Sequence, residues 1–135
     1  MADAKLRLAC EWLIKAKHDL DSARKLATDP APVLDTAIYH CQQAAEKAIK
    51  GLLAFRGQRF EKTHDVRLLT AQAASVEPRF SELLEEAELL TPYATAFRYP
   101  DEFLQPSLAE FNRALRAAER VYESVLSTQP ELRSD

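Results

Sequence analysis

The stretch TAIYHCQQAAEKAIKGLLAFRG, residues 36–57, decides how the rest of the chain is read. Ala37, Cys41, Ala44, Ala45, Ala48, Gly51 and Leu52 recur at three- and four-residue steps, so a helix through them carries a broad face of small side chains. Such a face lets neighbouring helices approach closely. Gln42, Gln43, Glu46, Lys47 and Lys50 interrupt the apolar residues, and Glu46 with Lys50 is the favourable acid-before-base pair one turn apart. The stretch reads as the central helix of a bundle with one polar stripe left facing something else.

Helices are expected on both sides of it. Upstream, Leu6, Ala9, Leu13, Ala16, Leu20, Ala23 and Ala27 alternate by three and four over 4–28, and Trp12, Ile14 and Leu26 widen that face enough for burial in a globular bundle. Asp29-Pro30-Ala31-Pro32 is a turn between the two helices, and Gly57 is placed to end the central one in a left-handed conformation. A basic connector, 58–63, follows. Thr63 is the expected N-cap of a shorter third helix through Leu68, Leu69, Ala71, Gln72 and Val76.

A fourth helix opens near Pro78, with Phe80, Leu83, Leu84, Ala87 and Leu90 inward and Glu82, Glu85, Glu86 and Glu88 mostly outward. At Thr91-Pro92 it either kinks or gives way to a fresh turn with Thr91 as cap and Pro92 at the first helical position. Ser107 and Glu110 have capping-box spacing before a fifth helix through Leu108, Phe111, Leu115, Ala118, Tyr122 and Val125. The expectation is an all-α domain over 1–128, ending in a flexible tail, 129–135.

Composition agrees. The chain has 135 residues, 47% hydrophobic and 29% charged, with only two glycines. That suits one helical domain with its own core. A net charge of -3 argues against a protein that coats duplex DNA through a generally basic surface. The charge is uneven, however: 47–67 holds six basic residues against two acidic ones, leaving about -7 for the remainder. This asymmetry suggests a localised anion site. Cys10 and Cys41 lie among apolar neighbours and are too few for a disulfide framework, so they read as buried thiols in a reducing cytoplasm. No apolar run of about 18 residues is present to span a membrane.

The residues placed to bind phosphate are Lys47, Lys50, Arg59, Lys62 and His64, with Gln43 on the same stripe to read a base edge or cap a helix end. The plainer alternatives are solvated lysines and a His64 that hydrogen-bonds the start of the third helix. Tyr93, Arg98, Tyr99 and Asp101 form a second set, either stacking on a base and forking onto phosphate or making a corner salt-bridged from Arg98 to Asp101. No metal site is expected. Glu61 and His64 supply one Glu-x-x-His where a di-iron bundle needs two, and His18, His40, Cys10 and Cys41 have no zinc spacing. Gly51 and Gly57 cannot make a phosphate-cradling loop, and no cofactor is expected.

The run CQQAAEKAIKGLLAFRG, followed by KTHDVRLL and later by FRYPDE, resembles the HEPN (higher eukaryotes and prokaryotes nucleotide-binding) family, in its stand-alone prokaryotic form. The resemblance covers about 8–126. It implies an antiparallel up-and-down bundle of four long helices plus one shorter helix, a homodimer, and binding of nucleotide or RNA. It also implies a minimal nucleotidyltransferase partner, in the manner of toxin–antitoxin pairs. The family's ribonuclease branch carries an Arg, four variable residues and a His near the start of a late helix, so that the His transfers a proton while the Arg steadies phosphate charge. Here Arg98 is followed five positions on by Phe103, and no His occurs after His64. The expectation is therefore a non-catalytic binding protein. The literal match Arg59 to His64 keeps open the alternative of a metal-independent endoribonuclease, the toxin of such a pair.

Overall fold

The computed structural model describes residues 2–28, 30–100 and 105–133. Five α-helices follow in order: α1 (Ala2–Thr28), α2 (Leu34–Phe55), α3 (Val66–Val76), α4 (Leu84–Leu90) and α5 (Leu108–Thr128). Three 3-10 turns join them, at Pro78–Leu83, Thr91–Ala94 and Pro130–Leu132, and there is no strand among the described residues.

The small-residue face of α2 does what its composition dictates. Ala37, Cys41, Ala44, Ala45, Ala48 and Leu52 are fully buried, as are Ala9, Ala16 and Ala23 of α1. The two helices lie so close at Gly51 that a Cβ there would collide with Leu13 and stand 3.0 Å from the Trp12 Cβ and 3.2 Å from the Ala9 carbonyl oxygen. Helix α5 closes the other side of α2 with Phe111, Ala114, Ala118, Val121 and Val125, and Phe80, Leu83, Ala87 and Leu90 complete the core.

Gly57, at φ 70°, ends α2 as the sequence suggests. Its N–H donates to the Ala54 carbonyl at 3.1 Å and that of Gln58 to Leu53 at 2.8 Å, the paired bonds of a Schellman terminus. The connector then runs back alongside α2. Arg56 reaches the Val76 carbonyl at 3.2 Å, Gln72 holds the Arg59 carbonyl at 2.6 Å, and Gln42 holds that of His64 at 2.9 Å. Helix α3 therefore starts level with the middle of α2 and runs parallel to its second half.

The all-helical bundle stands, while its proportions differ from expectation. Three helices are long and two short, because Pro78 opens the fourth segment as a 3-10 turn and Pro92 closes it in another. Thr91 does not cap that second turn; its hydroxyl donates back to the Ala87 carbonyl at 2.8 Å. The N-cap of α3 is Asp65, whose carboxylate accepts from the Leu68 N–H at 2.9 Å, while the Thr63 hydroxyl accepts from the Asp65 N–H at 3.1 Å. Ser107 caps α5 through the Glu110 N–H at 3.0 Å, as its capping-box spacing requires. Beyond Thr128, Pro130–Leu132 turns back so that Leu132, 1% exposed, enters the core. Burying that leucine holds the turn, and the Cys10 thiol donates to the Glu131 carbonyl at 3.8 Å, leaving Cys10 half-buried.

Candidate functional site

The polar stripe of α2 faces inward. Gln42, Gln43, Glu46 and Lys50 are all buried, and each is bonded, as polar groups in a low-dielectric interior must be. Glu46 is the hub. Its Oε1 accepts from Gln42 at 3.0 Å and more distantly from Gln43 at 3.4 Å, and its Oε2 accepts from the Lys50 ammonium at 2.9 Å. Gln43 also donates to the Gln42 side-chain oxygen at 2.7 Å. Burial alone would raise the Glu46 pKa, but the hydrogen bonds from Gln42, Lys50 and His64 outweigh it and hold the carboxyl below the usual range.

His64 completes this cluster from the connector. Its Nδ1 lies 3.0 Å from Glu46 Oε1, while 70% of its side chain is exposed. An ionised carboxylate only accepts, so Nδ1 carries the proton and Nε2 is left facing outward. The buried glutamate thus orients a solvent-facing imidazole.

Lys47 and Lys50, one turn apart, go separate ways. Lys47 is bound to Asp19 of α1 at 2.7 Å, and the same carboxylate takes His40 Nδ1 at 2.8 Å. Lys50 is held by Glu46, with its ammonium 5.8 Å from the ring centroids of both Trp12 and Phe60. The two lysines are therefore neutralised internally and do not converge with the connector's cations into one cradle. Arg59 and Lys62, by contrast, are exposed, and neither makes an ion pair with the described residues. An open hollow of about 660 Å³ lies against the connector and α3, lined by Arg59, Phe60, Glu61, Thr63, Leu68 and Gln72 among others.

The second set is dispersed. Tyr93 donates to Glu110 at 2.5 Å, and burial, followed by that carboxylate, pushes its pKa well up. Its ring stacks on Phe97, whose φ of 65° is unusual for a side chain that large. Arg98 lies over the Tyr39 ring, 3.8 Å from its centroid, and Tyr99 is 58% exposed. Asp101 and Phe103 lie outside the described residues.

The sequence reading missed Asp19, the acid that holds Lys47. Glu46 was legible as a partner of Lys50, but its depth was not. Asp19 carries no local signal, since its role depends on α1 crossing α2 beside Lys47. Among the described residues, no three His, Cys, Asp or Glu side chains are grouped to hold a metal ion. No helix among them is long and apolar enough to cross a membrane.

The comparisons agree with this architecture. The family model described as "HEPN domain" matches residues 9–128. The crystal structure of an archaeal HEPN homologue is 25% identical, with a TM-score of 0.69 over 89% of this chain and 96% of that one. A crystal structure of a protein from Thermus thermophilus is 30% identical, with a TM-score of 0.72 over 88% of this chain and 96% of that one. No curated protein matches significantly. With a family model spanning most of its length and a matching helical fold, the chain belongs to the HEPN domain family, whose members are nucleotide- and RNA-related.

Proposed function

We propose that the protein is a non-catalytic HEPN homodimer that binds a nucleotide or RNA phosphate and acts in the cytoplasm with a minimal nucleotidyltransferase partner, as in a toxin–antitoxin pair. The observation that carries the binding reading is the contrast among its cations. Nine of the eighteen arginines and lysines are paired with carboxylates among the described residues, whereas Arg59 and Lys62, exposed on the same connector as the oriented imidazole of His64, make no such pair. Phosphate would be met by Arg59, Lys62 and His64, while Gln43, Lys47 and Lys50 hold the wall behind. Arg98, laid on Tyr39, offers a second cation for a longer ligand, and Tyr93 fixes the corner that carries it.

Melting the protein with ATP, GTP or a short single-stranded RNA tests this reading. Ligand at about a hundred times its Kd stabilises the folded state by about 2.7 kcal/mol and must raise Tm. No shift with any of the three, at concentrations well above micromolar, removes the main support.

A second reading, the metal-independent endoribonuclease, is favoured by one observation: a carboxylate-oriented imidazole with a free Nε2 is the arrangement of a general base. RNA cleavage that survives EDTA and disappears in His64→Ala would establish it. Intact RNA under the same conditions supports the binding module.

A further inference from the structure

On the outer side of α1, Lys5, Leu8, Trp12 and Lys15 fall on one stripe, about 15 Å long at the helical rise of 1.5 Å per residue. The connector lies along this stripe. The position a Gly57 Cβ would take is 2.8 Å from the Lys5 ammonium, and Trp12 meets Phe60 edge to face with ring centroids 6.3 Å apart. A hollow lies on each side of this aromatic pair. One, of about 190 Å³, is lined by Leu8, Glu11, Trp12 and Lys15. The other is the larger hollow already described, which carries Phe60 on to Leu68.

The result is a continuous apolar band, Leu8–Trp12–Phe60–Leu68, whose two end leucines are each 51% exposed. Large apolar side chains grouped in a concavity are uncommon on a surface with no partner. The cations at its rim, Lys5, Lys15, Arg59 and Lys62, make no ion pair with the described residues.

We propose that this band is a docking groove for an acidic, amphipathic helix of a partner protein, about three turns long, whose apolar side chains fill the two hollows while its carboxylates pair with Lys5, Lys15, Arg59 and Lys62. Two features favour a helix over a nucleic acid strand. Leucines offer no ring face for a base, and one face of both Trp12 and Phe60 is already met by the Lys50 ammonium. A second copy of this chain, facing the groove by twofold symmetry, would set its rim of like charge against itself. The inference rests on the reading that the chain works with a protein partner, but not on its binding of phosphate.

Trp12 is the sole tryptophan and sits on the groove floor, so its fluorescence reports occupancy. The probe is a synthetic helical peptide of about twelve residues, with leucines three and four apart and glutamates on both flanks, compared with a scrambled peptide of the same composition. The expected result is saturable binding of the first only, weakened at least tenfold by Leu8→Glu and by Leu68→Glu. Both positions are exposed enough to leave the fold intact by circular dichroism. Lys15→Glu must weaken it too, which keeps the test valid if an apolar variant misfolds. Equal binding of both peptides, or of neither, overturns the proposal. So does displacement of the peptide by short RNA from the Arg59→Ala with Lys62→Ala protein, which would assign the groove itself to nucleic acid, or a halved solution mass in Leu8→Glu, which would assign it to a second copy. Loss of RNA binding in Arg59→Ala with Lys62→Ala, while the Leu8→Glu protein keeps it, separates this proposal from the phosphate site.

Discussion

His64 Nδ1 stands 3.0 Å from Glu46 Oε1, joining an exposed imidazole to a carboxylate with 4% of its side chain in contact with solvent. That contact ties the connector to the centre of α2, and acid should weaken it. The folded Glu46 carboxyl lies below the 4.5 of an unperturbed glutamate. A group depressed in this way contributes stability above its unfolded value and loses it as pH falls through the folded one. Urea unfolding at neutral pH and at about pH 3 should therefore show less acid-induced loss in Glu46→Gln than in the wild type. Parallel stability–pH curves for the two proteins would contradict this.

Lys50 and Glu46 form the most deeply buried ion pair among the described residues, at 9% and 4% side-chain exposure. Lys50→Ala leaves the carboxylate inside without its counter-charge and should cost about 3 kcal/mol or more by denaturant titration. Lys50→Met, which fills the same space between Trp12 and Phe60, should not restore it unless Glu46 is also made apolar. Full rescue by Lys50→Met alone would mean the lysine acts only through packing.

The two glycines should respond differently. Gly51→Ala places a methyl group against Leu13 and Trp12, so α1 and α2 must separate, at a cost of about 1–3 kcal/mol. Gly57→Ala meets only the flexible Lys5 ammonium, but its φ of 70° is strained for any side chain, at about 1 kcal/mol. A neutral Gly51→Ala would show that the helix pair is looser than its Ala-rich face implies.

Asp65 rather than Thr63 caps α3. Asp65→Ala should lower stability by about 1 kcal/mol, and Asp65→Asn by less, because the amide oxygen still accepts from Leu68. Thr63→Ala should cost less than Asp65→Ala. The reverse order in thermal melts would return the cap to Thr63.

The bundle was legible because its signals are local and periodic. Ala37 to Leu52 set a face, Gly57 supplies the left-handed stop, and Ser107 with Glu110 marks the start of α5. The fourth segment was misjudged in length, because two prolines convert its ends to 3-10 turns without changing which residues point inward. The burial of Leu132 was not legible, because a single leucine carries too little pattern to announce it. The candidate site was the hardest part. Lys47 and Lys50 look like an anion-binding pair in one dimension, and only the crossing of α1 brings Asp19 to Lys47 and only the folding back of the connector brings His64 to Glu46.

The central claim is that the unpaired cations beside His64 take a phosphate-bearing ligand. Fluorescence anisotropy of a labelled single-stranded RNA of about ten nucleotides, titrated with the intact protein at two salt concentrations, tests it most directly. The expected result is saturable, salt-sensitive binding that Arg59→Ala with Lys62→Ala weakens at least tenfold. Absence of binding well above micromolar protein, or an affinity unchanged in the double variant, would contradict it.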